Sequence, residues 1–272
     1  EETETKATDV SKVILITDSE YQVVSIDQSI PLPDYVFYPN SDTDKTAVEW
    51  TVDDLNVAEV ATTTDANGKV SGTVKAKAAG VAVVKLQVVG KTEVNAAFRL
   101  IVRPTNEPKN CKADATYNSV SLSWSPVADA NGYTITRKVE GSDTEQTIAH
   151  VDGTDTVSYK DTAAQTGISY IYHVYAYTKY TNNGQTDYAN TDAYASVKAT
   201  PQLGKAAMTS VTAEGYSSLT LKWEKVDGAT GYIVYRSTDK SKVDTQLTDI
   251  TNGAVSYVDA ALTAGTTYYY KV

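Results

Sequence analysis

The sequence predicts an all-β protein built from several sandwich units, and three observations lead there. Val, Thr and Tyr are abundant while Leu, Met and Phe are scarce; β-branched and aromatic side chains suit a pleated, half-buried surface and crowd a helix. Apolar residues alternate with polar ones over short runs. Markers in the C-terminal two-thirds recur about a hundred residues apart. A length of 272 residues exceeds one typical domain of about 100–200 residues, so two or three units are expected.

The repeat sets the domain count. Trp124 pairs with Trp223 and Gly132-Tyr133 with Gly231-Tyr232 at an offset of 99. Tyr159-Lys160-Asp161 pairs with Tyr257-Val258-Asp259, and Tyr170, Tyr172 and Val174 pair with Tyr268, Tyr270 and Val272, at 98. Within each copy the strands show period two: Val120, Leu122 and Trp124 face one way and three serines the other, and Leu219, Leu221 and Trp223 repeat the pattern. Asp129-Ala130-Asn131-Gly132 and Asp227 to Gly231 supply the turns.

These features resemble the fibronectin type III family. The resemblance rests on the Trp of "SLSWSPV" and "TLKWEKV", the "GY" opening the third strand, and a Tyr-x-Asp followed by "TGISY" or "AGTTY". It implies immunoglobulin-like sandwiches over residues 108–201 and 205–272, with Trp124 and Trp223 as core rings. It also implies that Tyr170 and Tyr268 are structural tyrosine corners, whose hydroxyls bond back to upstream backbone. Ala164 stands where copy two has Leu262, so the first corner is expected to be the less well packed. Copy two lacks about 26 residues of copy one. Either the protein continues past Val272 or the third unit is truncated at its edge, with unpaired backbone.

Residues 12–103 alternate too but do not match the repeat. "AVEWTVDD", "NVAEVATT", "NGKV" and "AAGVAVVKLQV" occur there in that order, and the segment resembles a bacterial immunoglobulin-like domain of group 2, a module found in bacterial adhesins. Trp50 would be its core aromatic, Asn67-Gly68 a hairpin turn needing positive φ and Gly80 a bend. "TTTDANGKVSGTVKA" is an extended hairpin that departs from that pattern. Residues 1–11 read as a disordered N-terminal tail. The linkers at 104–108 and 201–204 carry prolines that restrain the chain, so the tandem sandwiches are expected to form an extended rod.

Composition also limits function. Lys and Arg number 24 against 34 Asp and Glu, a formal charge of −10 with no basic run, so nucleic acid is not an expected partner. Apolar runs fall far short of the roughly 20 residues of a membrane span. Cys111 is the single cysteine, which allows no intrachain disulfide, and it reads as a small buried hydrophobe. His150 and His173 lie in different strands with no nucleophile motif nearby, and no zinc, phosphate-loop or EF-hand spacing occurs. No catalytic, cofactor or metal residue is assigned, and no enzyme activity is expected. Asp42, Asp44, Asp53 and Asp54 read as solvated turn carboxylates.

Tyrosine is the remaining signal: 17 of the 20 follow residue 109. In Tyr170 to Tyr177, period two points Tyr170, Tyr172, Val174 and Ala176 inward, leaving His173, Tyr175 and Tyr177 as an outward aromatic row that could form a surface ligand platform. Cross-strand stabilisation of an outer sheet face explains the same row. The expected function is a non-catalytic spacer or stalk in an extracellular, secreted or cell-surface protein of a bacterium, with adhesion the role the resemblance implies. Two alternatives stay open: a carbohydrate- or protein-binding module meeting a host or cell-wall partner, and accessory modules of a larger extracellular glycoside hydrolase.

Overall fold

A computed structural model describes residues 10–39 and 46–272; Asp42 and Asp44 lie outside the described residues. Every regular element described is a strand, as alternation and composition require. The chain forms two compact units: unit 1 comprises residues 1–112, 123–159 and 171–197, and unit 2 comprises 113–122, 160–170 and 198–272.

Unit 1 opens with nine strands: β1 (Lys12–Ile16), β2 (Tyr21–Ser25), β3 (Ser29–Pro31), β4 (Asp34–Tyr38), β5 (Val48–Val52), β6 (Ala58–Thr64), β7 (Val70–Ala76), β8 (Gly80–Val88) and β9 (Lys91–Arg103). They make sheets β2-β9-β8-β5, β3-β7-β6 and β1-β4. β2 runs parallel to β9, Tyr21 opposite Arg99, while β8 is antiparallel to it. In β8 the alternation is plain: Ala82, Val84, Leu86 and Val88 are buried and the residues between them are not. These side chains meet Trp50, Phe98, Leu100, Ala58, Val74 and Val13 in one core shared by the sheets. The hairpin β6-β7 turns at Gly68, φ +90°, with Asp65 Oδ1 accepting the Asn67 and Lys69 N–H groups. Order begins earlier than the sequence suggests. Val10, inside the expected tail, is buried in this core, and Ser11 N–H donates to the Tyr38 carbonyl at 3.0 Å, because an apolar side chain beside a free strand edge gains by docking. Residues 1–9 lie outside the described residues.

Eight strands follow: β10 (Lys112–Ala115), β11 (Val120–Ser123), β12 (Gly132–Val139), β13 (Gln146–Asp152), β14 (Ser158–Asp161), β15 (Tyr170–Asn182), β16 (Gln185–Asn190) and β17 (Ala195–Ala199). β13, β12, β15 and β16 are neighbours in a five-stranded sheet in which β17 also pairs with β15. β15 and β16 form a tight hairpin through Asn183-Gly184, both at positive φ, the turn geometry whose twist suits adjacent strands. Gly132 opens β12 because a Cβ there would lie 2.1 Å from the Val151 carbonyl oxygen and 2.5 Å from the Tyr177 hydroxyl.

Inside unit 1 the end of β9 meets the β15–β16 hairpin. Leu100 and Val102 point into their own core, whereas Ile101, between them, is buried on the opposite face against Tyr180 and Ala189, with Tyr21 packed alongside. Around this apolar centre the Thr178 hydroxyl donates to the Val102 carbonyl at 2.7 Å, Arg99 donates to the Thr181 carbonyl, and Arg103 pairs with Asp192.

Unit 2 carries most of the three-stranded sheet β10-β11-β14 and the strands β18 (Met208–Ala213), β19 (Leu219–Trp223), β20 (Tyr232–Ser237), β21 (Thr245–Ile250), β22 (Ser256–Asp259) and β23 (Tyr269–Lys271). Sheets β18-β19-β22 and β21-β20-β23 share a core of Leu221 and Trp223 from one and Tyr232 and Val234 from the other. First, second and fifth strands facing the fourth, third and sixth is an immunoglobulin-like sandwich arrangement.

Candidate functional site

The outer face of the five-stranded sheet in unit 1 gathers most of the polar and aromatic side chains able to do chemistry or bind a ligand. β15 supplies the first. Tyr170, Tyr172, Val174 and Ala176 are buried, and on the other parity stand His173, Tyr175, Tyr177 and Lys179. The expectation of an open row at His173, Tyr175 and Tyr177 needs correction. Tyr177 is 0% and His173 7% exposed, and Tyr175 is half-buried. Period two puts side chains on a face but says nothing about what lies over it, and here neighbouring strands and the segment after β16 fold rings across the row.

Tyr194, from the connection between β16 and β17, lies 4.2 Å from the His173 ring and 5.0 Å from Tyr175. His173 Nδ1 is 2.7 Å from Glu145 Oε1, and the Thr136 hydroxyl donates to the same carboxylate. Burial works to raise the Glu145 carboxyl, but the bonds from Thr136 and His173 outweigh it and hold the group below its ordinary value. Tyr175 is pushed up by burial and by the Glu145 charge.

The second cluster surrounds Tyr177. Its hydroxyl donates to Asp152 Oδ1 at 2.6 Å, with the Val151 carbonyl 3.2 Å away, and burial, then the Asp152 bond, push the phenol well above its usual range. Lys179 Nζ meets the other Asp152 oxygen at 2.8 Å; that bond, then the Tyr177 one, holds Asp152 below its usual value. Tyr177 also lies edge-on to the rings of His150 and Tyr188. His150 and Tyr188 are stacked, 3.7 Å apart and 4° from parallel. The Thr134 hydroxyl donates to Asn190 Oδ1 at 2.7 Å and lies 3.0 Å from His150 Nδ1. Partial desolvation of the His150 ring, one face of which Tyr188 covers, lowers its pKa against the charges of Asp152 and Asp187.

The remaining sequence-derived residues lie away from this face. Trp50, Trp124 and Trp223 are buried and pack edge-on against Phe98, Tyr133 and Tyr232; the indole nitrogens have no hydrogen-bond partner among the described residues. Tyr170 Oη accepts the Gln165 N–H and Tyr268 Oη the Thr263 N–H, both at 3.2 Å. Ala164 is buried and Leu262 half-exposed. Cys111 is half-buried, and burial pushes its thiol up, away from a reactive thiolate. Asp53 and Asp54 accept the Val83 and Asn56 N–H groups. Among the described residues no three His, Cys, Asp or Glu side chains gather as a metal site, and no helix is long and apolar enough to cross a membrane.

Two sets escaped the sequence reading. The Tyr of each "GY" is itself a clamp: Tyr133 Oη accepts the Val127 N–H at 2.8 Å and donates to the Thr154 carbonyl, and Tyr232 Oη accepts the Val226 N–H at 2.9 Å. The Asp of the Tyr-x-Asp motif is buried in both copies, at Asp161 and Asp259. The signal was present in the repeat, since buried carboxylates need partners and Arg137 and Arg236 recur at the same offset.

No family model and no curated protein matches the chain. Among solved structures, a segment of two fibronectin type III domains from chicken tenascin is 18% identical, covering 60% of this chain and 87% of its own, with a TM-score of 0.36. The FN1–FN3 domains of chicken CNTN1 are 13% identical, covering 95% of this chain and 90% of their own, with a TM-score of 0.31. The fold stands on its strand order and cores.

Proposed function

We propose that the chain is a non-catalytic modular spacer of a bacterial cell-surface or secreted protein. In this reading a group 2 bacterial immunoglobulin-like module over residues 12–103 precedes fibronectin type III modules over 108–201 and 205–272, and the string holds a distal region away from the envelope, in the manner of an adhesin stalk. The observation that supports it most is the joint at the end of β9. An apolar centre of Ile101, Tyr180 and Ala189 ringed by hydrogen bonds from Arg99, Arg103 and Thr178 resists bending at a linker, which is what a spacer requires. His173 and Asp259 are tied to neighbouring side chains rather than turned into a cleft, which also suits a mechanical role.

Small-angle scattering from the 272-residue chain tests this. A compact globule of that length has a radius of gyration of about 19 Å, and the spacer reading expects a distinctly larger value. A measured value at the compact limit would overturn it.

A further inference from the structure

The stacked pair His150–Tyr188 sits over Tyr177 on the outer face of the five-stranded sheet, and its hydrogen bonds define which atoms it offers to solvent. Thr134 Oγ1 carries one proton, and that proton goes to Asn190 Oδ1. A second short contact from the same oxygen, to His150 Nδ1, then requires the proton to come from the ring, so the imidazole is the Nδ1–H tautomer. These two bonds leave over the lone pair of His150 Nε2, an acceptor, and the two protons of Asn190 Nδ2, donors. Both residues hang from one hydroxyl, so the leftover groups are neighbours on one patch. Each ring covers one face of the other; with His150 exposed and Tyr188 half-buried, the outer faces and edges of the stack are what remains for a ligand.

At the rim Lys179 and Asp152 form an ion pair, and Asp187, bonded to the Tyr180 hydroxyl, adds a negative charge beside Tyr188. The geometry is also held without a ligand: Tyr177 lies beneath both rings, and its hydroxyl is tied to Asp152. A pre-set ring surface flanked by one acceptor and one donor, with no unpaired cation to hold an anion, matches a specific chemistry. A pyranose has an apolar C–H face for the ring and hydroxyls that donate and accept at once. The chain's charge of −10 disfavours acidic polymers, which leaves neutral sugars.

From this arrangement we infer that His150, Tyr188 and Asn190 form a subsite for a neutral hexose or pentose unit of a glycan, stacked on the ring pair with a hydroxyl between His150 Nε2 and Asn190 Nδ2. The subsite goes beyond the spacer function and does not depend on it. It differs from the row His173, Tyr175 and Tyr177, since Tyr177 acts only as its buried support. A single stacked sugar on an open face gives weak affinity, with dissociation constants on the order of 1 mM, strengthened where several units engage.

The test is a nuclear magnetic resonance titration of the full chain with cellohexaose, mannohexaose and xylohexaose, with an oligogalacturonate of equal length as the acidic comparison. The expected result is a saturable shift of the His150 ring and Asn190 side-chain amide signals with at least one neutral hexasaccharide, and weaker or no binding of the acidic one. His150→Phe keeps a ring but deletes the acceptor, and Tyr188→Ala removes the platform; each should weaken binding about tenfold. The titration of the unaltered chain decides the matter even if a variant misfolds. No shift with any neutral hexasaccharide, shifts centred elsewhere, or equal binding of the oligogalacturonate overturns the inference. So does an affinity within twofold of the original in a folded His150→Phe chain.

Discussion

Arg236 Nη1 lies 3.1 Å from both carboxylate oxygens of Asp259, joining β20 to β22 across the sandwich of unit 2. The Tyr270 hydroxyl donates to the same carboxylate at 2.7 Å, and burial, then that bond, raises the tyrosine's pKa. Asp259 is 3% exposed in its side chain and Arg236 33%. Taking one partner from a buried pair leaves the other charge without compensation, a loss of several kcal/mol that the guanidinium's access to water reduces here. Asp259→Asn is therefore expected to destabilise this sandwich by about 2–3 kcal/mol, read as a lower urea midpoint in Trp223 fluorescence. A midpoint equal to that of the unaltered chain would show that the pair contributes nothing net.

Gly132 is constrained by its neighbours rather than by φ. A methyl group there meets the Val151 carbonyl oxygen and the Tyr177 hydroxyl, so Gly132→Ala should cost about 2–3 kcal/mol as β12 and β13 are pushed apart. Gly90, by contrast, has open space and φ +81°, and Gly90→Ala should cost about 1 kcal/mol from backbone strain alone. Thermal unfolding of the two variants gives the comparison, and the expected order is Gly132→Ala far below Gly90→Ala.

The joint of unit 1 predicts coupled unfolding. Thr178→Val keeps the shape but leaves the buried Val102 carbonyl without its donor, an expected loss of about 1–3 kcal/mol. Tyr180→Ala opens the apolar centre around Ile101. With both changes, the residues around Trp50 and those around Trp124 should melt in separate steps, followed by hydrogen exchange; unchanged, cooperative exchange would show that the joint does not couple them.

Acid should weaken unit 1 through two groups. The Glu145 pKa is depressed in the folded state, so its contribution is present above the unfolded value, about 4.3, and is lost as pH falls through the folded value. The His150 pKa is also depressed. The unfolded chain then binds the proton first, and stability falls as pH drops from about 6.5 toward the folded pKa. The melting temperature at mildly acidic pH should drop less, relative to neutral pH, in His150→Gln than in the unaltered chain. An equal drop in both would assign the acid sensitivity elsewhere.

The paired strands, the core tryptophans and the inward parity of Tyr170, Tyr172, Val174 and Ala176 could be read from alternation, because each depends on local backbone geometry and on the demand that apolar faces be covered. The hydroxyl bonds at Tyr170 and Tyr268 came with a motif at fixed spacing. The accessibility of the row at His173, Tyr175 and Tyr177 could not be read, because it depends on Tyr188 from β16 and Tyr194 from the connection after it, whose placement follows from pairing and loop path. The docking of Val10 was hidden for the same reason: one valine in a polar stretch has no periodicity to reveal it.

What the sequence determined by itself is the all-β class, the repeat and which face of each strand is apolar, since periodicity and composition act within a few residues of one another. Tertiary structure alone decided which polar groups meet. Thr134, His150, Tyr177, Tyr188 and Asn190 come from four strands, and a hydrogen bond or ring stack between them follows from sheet register and loop path, to which no local pattern in the chain is sensitive.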